Sequence, residues 1–424
     1  MRKSCTLFIF FILFSLASKA QSYANDWIDY SRQYFRMEIV EEGIYRIDYN
    51  MLISAGIPLS TTDPRQFQIF ARGEEIPIYV YGEGDGLFNN TDFIEFYAYG
   101  NDAWLDEELF KNPNWKLNKT YSLFNDTISY YLTWNSSVNN KRYSPENDVS
   151  FTTYTPSDYF ICKRYQEYND TYYGGVTNPF GLSDPEYTKG EGWFGEVFNL
   201  GQQRSYSINT KNAFVGGPAV SIKTIVVGAS DYAPLIGDHH LRIEYLSTIF
   251  DTIYEGYNVL EFNSTHLASE LSDATSFVFR SVDDLNSGSD RNAVASIELI
   301  YPHNWDMEGQ SSFYFYVPDA TSQTKALANM TNLNLTASDS LILYDLSNNK
   351  RIKVQQNGSI YQALIPNSGG EKACYLTSSA EIKTPNNLQA VNTSMTNYAK
   401  FTDYNSAAYN KTDYIITVSY THLR

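Results

Sequence analysis

Apolar side chains in this sequence recur mostly at every second position: Phe35, Met37 and Ile39 alternate with polar residues, and similar alternation returns in segment after segment to about residue 385. Successive side chains of a strand point to opposite faces, so a period of two buries one face and solvates the other, whereas a helix needs apolar residues three and four apart. The chain also carries 36 Tyr and 25 Phe, residues that fit a pleated, half-buried surface. The expected fold class is therefore mainly β: an N-terminal β domain followed by antiparallel β-sandwich domains.

The segments order themselves as follows. Phe35 to Ile39 and Ile44 to Ile47 flank Glu41-Glu42-Gly43 and read as a hairpin. The run NMLISAGI reads as a short helix stopped by Gly56, with Pro58 close behind. FQIF (67–70) and IPIYVY (76–81) form a second expected hairpin, with Pro77 suited to an edge because it donates no ladder hydrogen bond. These strands belong to a domain over 21–150. Long alternating stretches such as VSIKTIVVGAS, HLRIEYLSTIF and AVASIELIYP suit a two-sheet, jelly-roll-like antiparallel sandwich over 151–310. FYFYVP, SLILYDL, KRIKVQQ and SIYQALIP suggest a small β module over 311–385, and the polar run at 386–411 reads as a linker. The final TDYIITVSYTHLR (412–424) opens as a buried, β-branched strand of the parallel-sheet type, which needs neighbours on both sides.

Residues 1–20 carry Arg2 and Lys3, an apolar core from Leu7 to Ala17, and small residues at Ser18 and Ala20, the pattern of a cleaved secretory signal. No later stretch is apolar enough to span a bilayer as a helix. Asp and Glu number 48 against 31 Lys and Arg, a net charge of −17, and loss of the signal removes three cations and no acid. Such a surface repels phosphate backbones, so nucleic acid is not an expected partner. After processing only Cys162 and Cys374 remain. A disulfide framework is excluded; the two thiols either join in one long-range bridge or, the reading preferred on packing grounds, are buried separately.

Few residues suggest chemistry. EGDGLFNNTDFIEF gathers Glu83, Asp85, Asn89, Asp92 and Glu95, hard oxygen donors of the kind calcium takes, but Leu87 stands where an EF-hand loop needs its second ligand, and an acidic turn explains the stretch as well. His239 and His240 are adjacent and point to opposite faces of a strand, so they cannot share an ion, and His240 falls on the face of Arg242 and Glu244. His266 and His303 stand alone. Cys162 (YFICKRY) and Cys374 (KACYLTS) lie in expected strands, unlike the loop a nucleophile with a histidine base occupies. The acid pairs Glu41-Glu42, Glu107-Glu108 and Asp283-Asp284 read as solvated turns rather than as opposed glycosidase carboxylates. No catalytic, cofactor or metal residue is assigned.

The order of EEGIYRIDYNMLISAGI, FARGEEIPIYVYG, GDGLFNNTDFIEFYAYGND, KTYSLFNDTISYYLTW, GEGWFG, ASIELIYPHNW and TDYIIT, spanning about residues 30 to 417, resembles the region ahead of the catalytic domain in PorU-type sortases, gingipain-like cysteine peptidases of the type IX secretion system of Bacteroidetes. The resemblance implies that residues 412–424 begin a truncated caspase-like α/β domain. It further implies removal of C-terminal sorting signals from exported cargo at the outer membrane, by a Cys-His dyad whose His precedes Gly. None of the five histidines here precedes Gly, so no dyad residue carries over and the chain is expected to be inactive alone. The implied partners are its own catalytic domain, outer-membrane secretion components and cargo proteins. The implied location is the periplasm, outer membrane or cell surface. A secreted gingipain-like protease shares this layout. The alternative from another class is a surface adhesin or glycan-binding β-sandwich, given an aromatic content of 16%.

Overall fold

The segments Phe35–Ile39 and Gly43–Asp48 part company at Glu41-Glu42. In the computed structural model, which describes residues 25–176 and 185–409, Phe35–Ile39 pairs with Ile128–Trp134, whereas Gly43–Asp48 pairs with Phe93–Ala98. The expected hairpin over 35–47 is thus corrected. The two strands face each other across a sandwich, because each presents an apolar face and neither can bury it by edge-to-edge pairing alone. The first sheet runs 389–390, Phe35–Ile39, Ile128–Trp134, Phe67–Ala71 and Glu74–Ile76; the second runs Gly43–Asp48, Phe93–Ala98 and Tyr79–Tyr81. Between them Phe35, Met37, Ile69 and Leu132 meet Ile47, Ile94, Phe96 and Ala98 in one core.

The second expected hairpin, FQIF with IPIYVY, forms only at its turn: Phe67–Ala71 pairs with Glu74–Ile76, whereas Tyr79–Tyr81 pairs with Phe93–Ala98 in the other sheet. Ile69 pairs with Ile76 across Arg72-Gly73, both with positive φ (53° and 81°), the backbone of a two-residue turn matched to strand twist. Pro77 then lies between two edge strands, where its missing donor leaves no gap in a ladder. The expected helix is Tyr49–Ser54, capped where the Asp48 carboxylate accepts the Met51 N–H at 2.8 Å and stopped at Gly56 with φ of 83°.

The rest of the described chain is organised by one ten-stranded sheet. Its path is Val259–His266, Val220–Gly228, Arg291–His303, Phe160–Glu167, Ser312–Val317, Lys372–Ser378, Leu341–Asp345, Lys350–Lys353 and Ser144–Glu146, with 198–199 beside Arg291–His303. Two four-stranded sheets are built on the same core. One contains Gln203–Asn209, Ala274–Ser281, His239–Tyr245 and Thr248–Tyr254; the other contains Asp306–Gln310, Lys325–Leu333, Ile360–Pro366 and Gln355–Asn357. The strands on either side of residue 310 share this core, in which Phe160, Val294 and Leu299 belong to the same cluster as Phe315, Leu343 and Leu376. At the seam Tyr316 pairs with Ile161. The mainly β, antiparallel architecture thus matches the sequence pattern, and its largest sheet takes strands from both sides of residues 150 and 310.

The polar run after residue 385 is docked over its described part. Gln389 and Ala390 add an edge to Phe35–Ile39, the Tyr34 N–H donates to the Ala399 carbonyl at 2.6 Å, and the Phe401 ring meets Trp27, Tyr34 and Tyr131 at 5.2–5.8 Å. The segments expected to be a secretory signal (1–20) and a strand opening a further domain (412–424) lie outside the described residues. Among the described residues no helix is long and apolar enough to cross a membrane.

Candidate functional site

The strand Phe93–Ala98 divides its side chains between two jobs. Ile94, Phe96 and Ala98 enter the N-terminal core, and the intervening Glu95 and Tyr97 turn toward the large sheet. Glu95 is fully buried there. Its Oε1 accepts Arg46 Nη2 at 2.6 Å and Nε at 3.1 Å, and its Oε2 accepts the Tyr344 hydroxyl at 2.5 Å and Arg351 Nε at 3.2 Å. A buried carboxylate is tolerated only with such saturation. Burial pushes the Tyr344 hydroxyl well above the usual tyrosine range, so it stays a neutral donor to Glu95. Arg351 lies 4.2 Å over the Tyr79 ring, which completes an ionic bolt between the N-terminal unit and Leu341–Asp345 and Lys350–Lys353.

Beside the bolt a cleft of about 800 Å³ opens, lined by Val40, Glu42, Tyr97, Tyr99, Asp102, Asp126, Tyr314 and Tyr316 among others. Tyr314 and Tyr316 come from Ser312–Val317, whose alternate residues Phe313, Phe315 and Val317 are buried. Ring centroids lie 5.4 Å apart for Tyr97 and Tyr375, 6.3 Å for Tyr97 and Tyr314, and 5.3 Å for Tyr314 and Tyr316, all tilted or edge-on. The Tyr97 hydroxyl donates to Glu42. Burial first, then the neighbouring Glu42 carboxylate, raises the Tyr97 hydroxyl far above its ordinary range; burial likewise raises Tyr314. Both are therefore neutral hydrogen-bonding groups. A second cavity of about 480 Å³ shares Tyr97, Tyr99 and Leu346 and contains Arg72 and Trp104. There the turn residue Arg72 binds Asp102 at 2.6 Å and sits 4.7 Å over Tyr99 and 5.4 Å over Trp104. The arrangement can bind, but it offers no nucleophile with a base.

The residues singled out from sequence go elsewhere. The acidic stretch converges only in part: the Asn89 side-chain amide donates to Asp85 at 3.1 Å and its backbone N–H to Asp92 at 2.6 Å, but Glu83 pairs with Arg142 at 3.0 Å and Glu95 is the bolt. Among the described residues no group of three or more His, Cys, Asp or Glu is placed to hold a metal ion. His239 and His240 do point to opposite faces. His240 is held between Asp251 and Asp284, each at 2.7 Å, so Asp284 is engaged rather than idle in its turn. His239 is buried between Asp290 and the Ser230 carbonyl. His266 contacts Glu270 at 3.2 Å, and His303 stacks on Phe160 at 4.7 Å. Glu41 pairs with Lys383, while Glu107 and Glu108 lie in a short 3-10 turn.

Cys162 and Cys374 are free and buried, as separate thiols. The strand Ser312–Val317 stands between theirs, a gap of roughly 9–10 Å across two strand spacings, beyond the Cα separation of about 7 Å that a disulfide tolerates. Burial pushes the Cys162 thiol up to about 11 and raises Cys374 well above its ordinary value, the opposite of what a nucleophile needs. The cleft itself escaped the sequence reading. Alternation marks Tyr314 and Tyr316 as the outer face of a strand, but nothing local shows that Tyr97 covers them.

No family model matches the chain, and no curated protein matches its sequence. Among solved structures it is similar to dimeric latent PorU from Porphyromonas gingivalis, with a TM-score of 0.53 and 13% identity over 84% of this chain. The chain spans 32% of that one, about a third of its length. The likeness establishes a PorU-like fold. Two further similarities have TM-scores too low to inform the fold. One is the CBM36-1 domain of a multidomain xylanase from the hindgut metagenome of Trinervitermes trinervoides, at 0.18 with 10% identity, covering 32% of this chain and 96% of that one. The other is BuGH86 in complex with neoagarooctaose, at 0.19 with 8% identity, covering 65% of this chain and 33% of that one.

Proposed function

We propose that this chain is the non-catalytic β region of a PorU-like exported protein, which supports a gingipain-like cysteine peptidase domain acting as a type IX secretion sortase. Its expected setting is the outer membrane or cell surface, where the full protein removes C-terminal sorting signals from cargo. The observation that carries the reading is the PorU-like fold over 84% of the chain, set against a span of 32% of that larger protein. The buried, high-pKa thiols agree with a region that does no covalent chemistry itself. The test is to express the 424-residue chain and a product extended along the downstream reading frame, and to assay both on a peptide with a C-terminal sorting signal. Cleavage by the extended product alone, lost when its Cys is changed to Ala, supports the reading. Cleavage by the 424-residue chain, or a downstream frame without a His-Gly pair and a later Cys, overturns it.

A second reading, an exported glycan-binding β-sandwich protein, rests on the aromatic content of 16%, since aromatic faces can stack on sugars. Saturable binding of the 424-residue chain to a glycan array would select it.

A further inference from the structure

We propose that the cleft between the N-terminal unit and the large sheet is a docking groove for a polypeptide segment that carries a lysine or arginine side chain. The inference goes beyond the sortase reading and stands on the cleft alone. Three carboxylates, Glu42, Asp102 and Asp126, line the cavity together with Tyr97, Tyr99, Tyr314 and Tyr316, and no Lys or Arg is among its lining residues. Glu42 and Asp126 are exposed, and among the described residues neither forms an ion pair. A groove with negative charge and electron-rich ring faces is complementary to a cation with an apolar stem.

The protein already displays this chemistry at the cleft's borders. Arg72 enters the adjoining cavity, pairs with Asp102 and stacks over Tyr99 and Trp104. Lys163, paired with Glu371, places its ammonium 3.4 Å over the Tyr316 ring. Both are carboxylate-plus-aromatic cradles filled by the chain's own cations. Glu42 and Asp126 line the same cleft with Tyr97 and Tyr314, a third set of the same composition in which, among the described residues, neither acid has a cationic partner. The volume of about 800 Å³ accommodates several residues of an extended segment. A sugar is the poorer occupant. Tyr97 and Tyr314 are tilted against one another and against Tyr375, and Lys163 covers Tyr316, so the flat open platform that stacks on a pyranose is missing.

The experiment is a calorimetric titration of the whole chain with tetra-arginine and with tetra-citrulline, which has the same shape and no charge. Tetra-arginine should bind at least tenfold more tightly, with an affinity that falls as salt rises. The paired variant Glu42→Gln/Asp126→Asn keeps shape and hydrogen-bond acceptors and should weaken binding at least fivefold. Asp273→Asn/Glu196→Gln, acids outside the cleft, should leave it unchanged. Because the chain carries a net charge of −17, general attraction to any acidic surface is the rival explanation. Equal losses in the two variants would establish that rival and overturn the proposal. Equal binding of tetra-citrulline, no binding at millimolar peptide, or displacement of tetra-arginine by a neutral oligosaccharide would each overturn it as well. None of these outcomes bears on whether an extended product cleaves a sorting signal.

Discussion

His239 shows how much one buried side chain can couple to solution conditions. It has no solvent exposure, its Nδ1 lies 2.6 Å from Asp290, its Nε2 lies 2.9 Å from the Ser230 carbonyl, and its ring stacks on Tyr254 at 4.5 Å. Both nitrogens face acceptors, so the doubly protonated ring satisfies both. Burial pulls its pKa down, but the bonds to Asp290 and Ser230 and the charges of Asp290 and Asp238 outweigh that, and the net shift is upward from 6.5. His240, between Asp251 and Asp284, shifts the same way. A raised folded-state value means that the stabilisation is complete below about pH 6.5 and is lost as pH rises through the folded value. The melting temperature should therefore fall on going from pH 6 toward 9, less steeply in His239→Gln, and least in His239→Gln/His240→Gln. An unchanged slope in the double variant, followed by circular dichroism, would refute this assignment. Glu95 is the other decisive residue. Glu95→Ala leaves Arg46 and Arg351 facing a buried void and should cost about 3–5 kcal/mol in chemical denaturation, whereas Glu95→Gln, which keeps the shape and an acceptor, should cost less.

At the scale of elements, turn chemistry was readable and strand partnership was not. Arg72-Gly73 sits between two apolar runs and makes a two-residue turn. Glu41-Glu42-Gly43 looks similar, yet the chain there crosses from one sheet to the other, because Gly43–Asp48 finds its register beside Phe93–Ala98. A turn signal says that the chain reverses; it does not say whether the two arms bond to each other or pack face to face. The run after 385 was legible as polar but not as docked. Its few anchors, Leu388, Ala399 and Phe401, are spaced without period, and their partners, among them Trp27, Tyr34 and Tyr131, lie far earlier in the chain. Phe401→Ala should release this strap and speed proteolytic cleavage within 386–409 by several-fold, while cleavage in the loop at 282–290 stays unchanged. Equal acceleration at both loops would mean general destabilisation instead. The candidate cleft follows the same rule. The alternation of Phe313, Phe315 and Val317 with Tyr314 and Tyr316 marks an outward tyrosine row, but Tyr97 and Glu42 reach it only through tertiary packing.

For the whole molecule, the continuity of the ten-stranded sheet decides cooperativity. Strands from 160–167 and 291–303 share a core with those from 312–317 and 372–378, and the Glu95 bolt ties the N-terminal sandwich to the same sheet. Calorimetry should accordingly record one main unfolding transition for the chain, and a fragment of residues 311–385 should not fold alone, since it would expose Phe315, Leu343 and Cys374 along its seam. Two separable transitions of comparable enthalpy would contradict that. Local alternation, composition and turn residues determined by themselves that this is a mainly β, acidic protein without a disulfide framework, because strand periodicity and charge are properties of neighbours in sequence. Only the tertiary structure decided which strands share a sheet, that the polar strap is docked, and that tyrosines and carboxylates from distant segments face one cleft. Those outcomes depend on which apolar faces cover one another, and that choice is made between segments hundreds of residues apart.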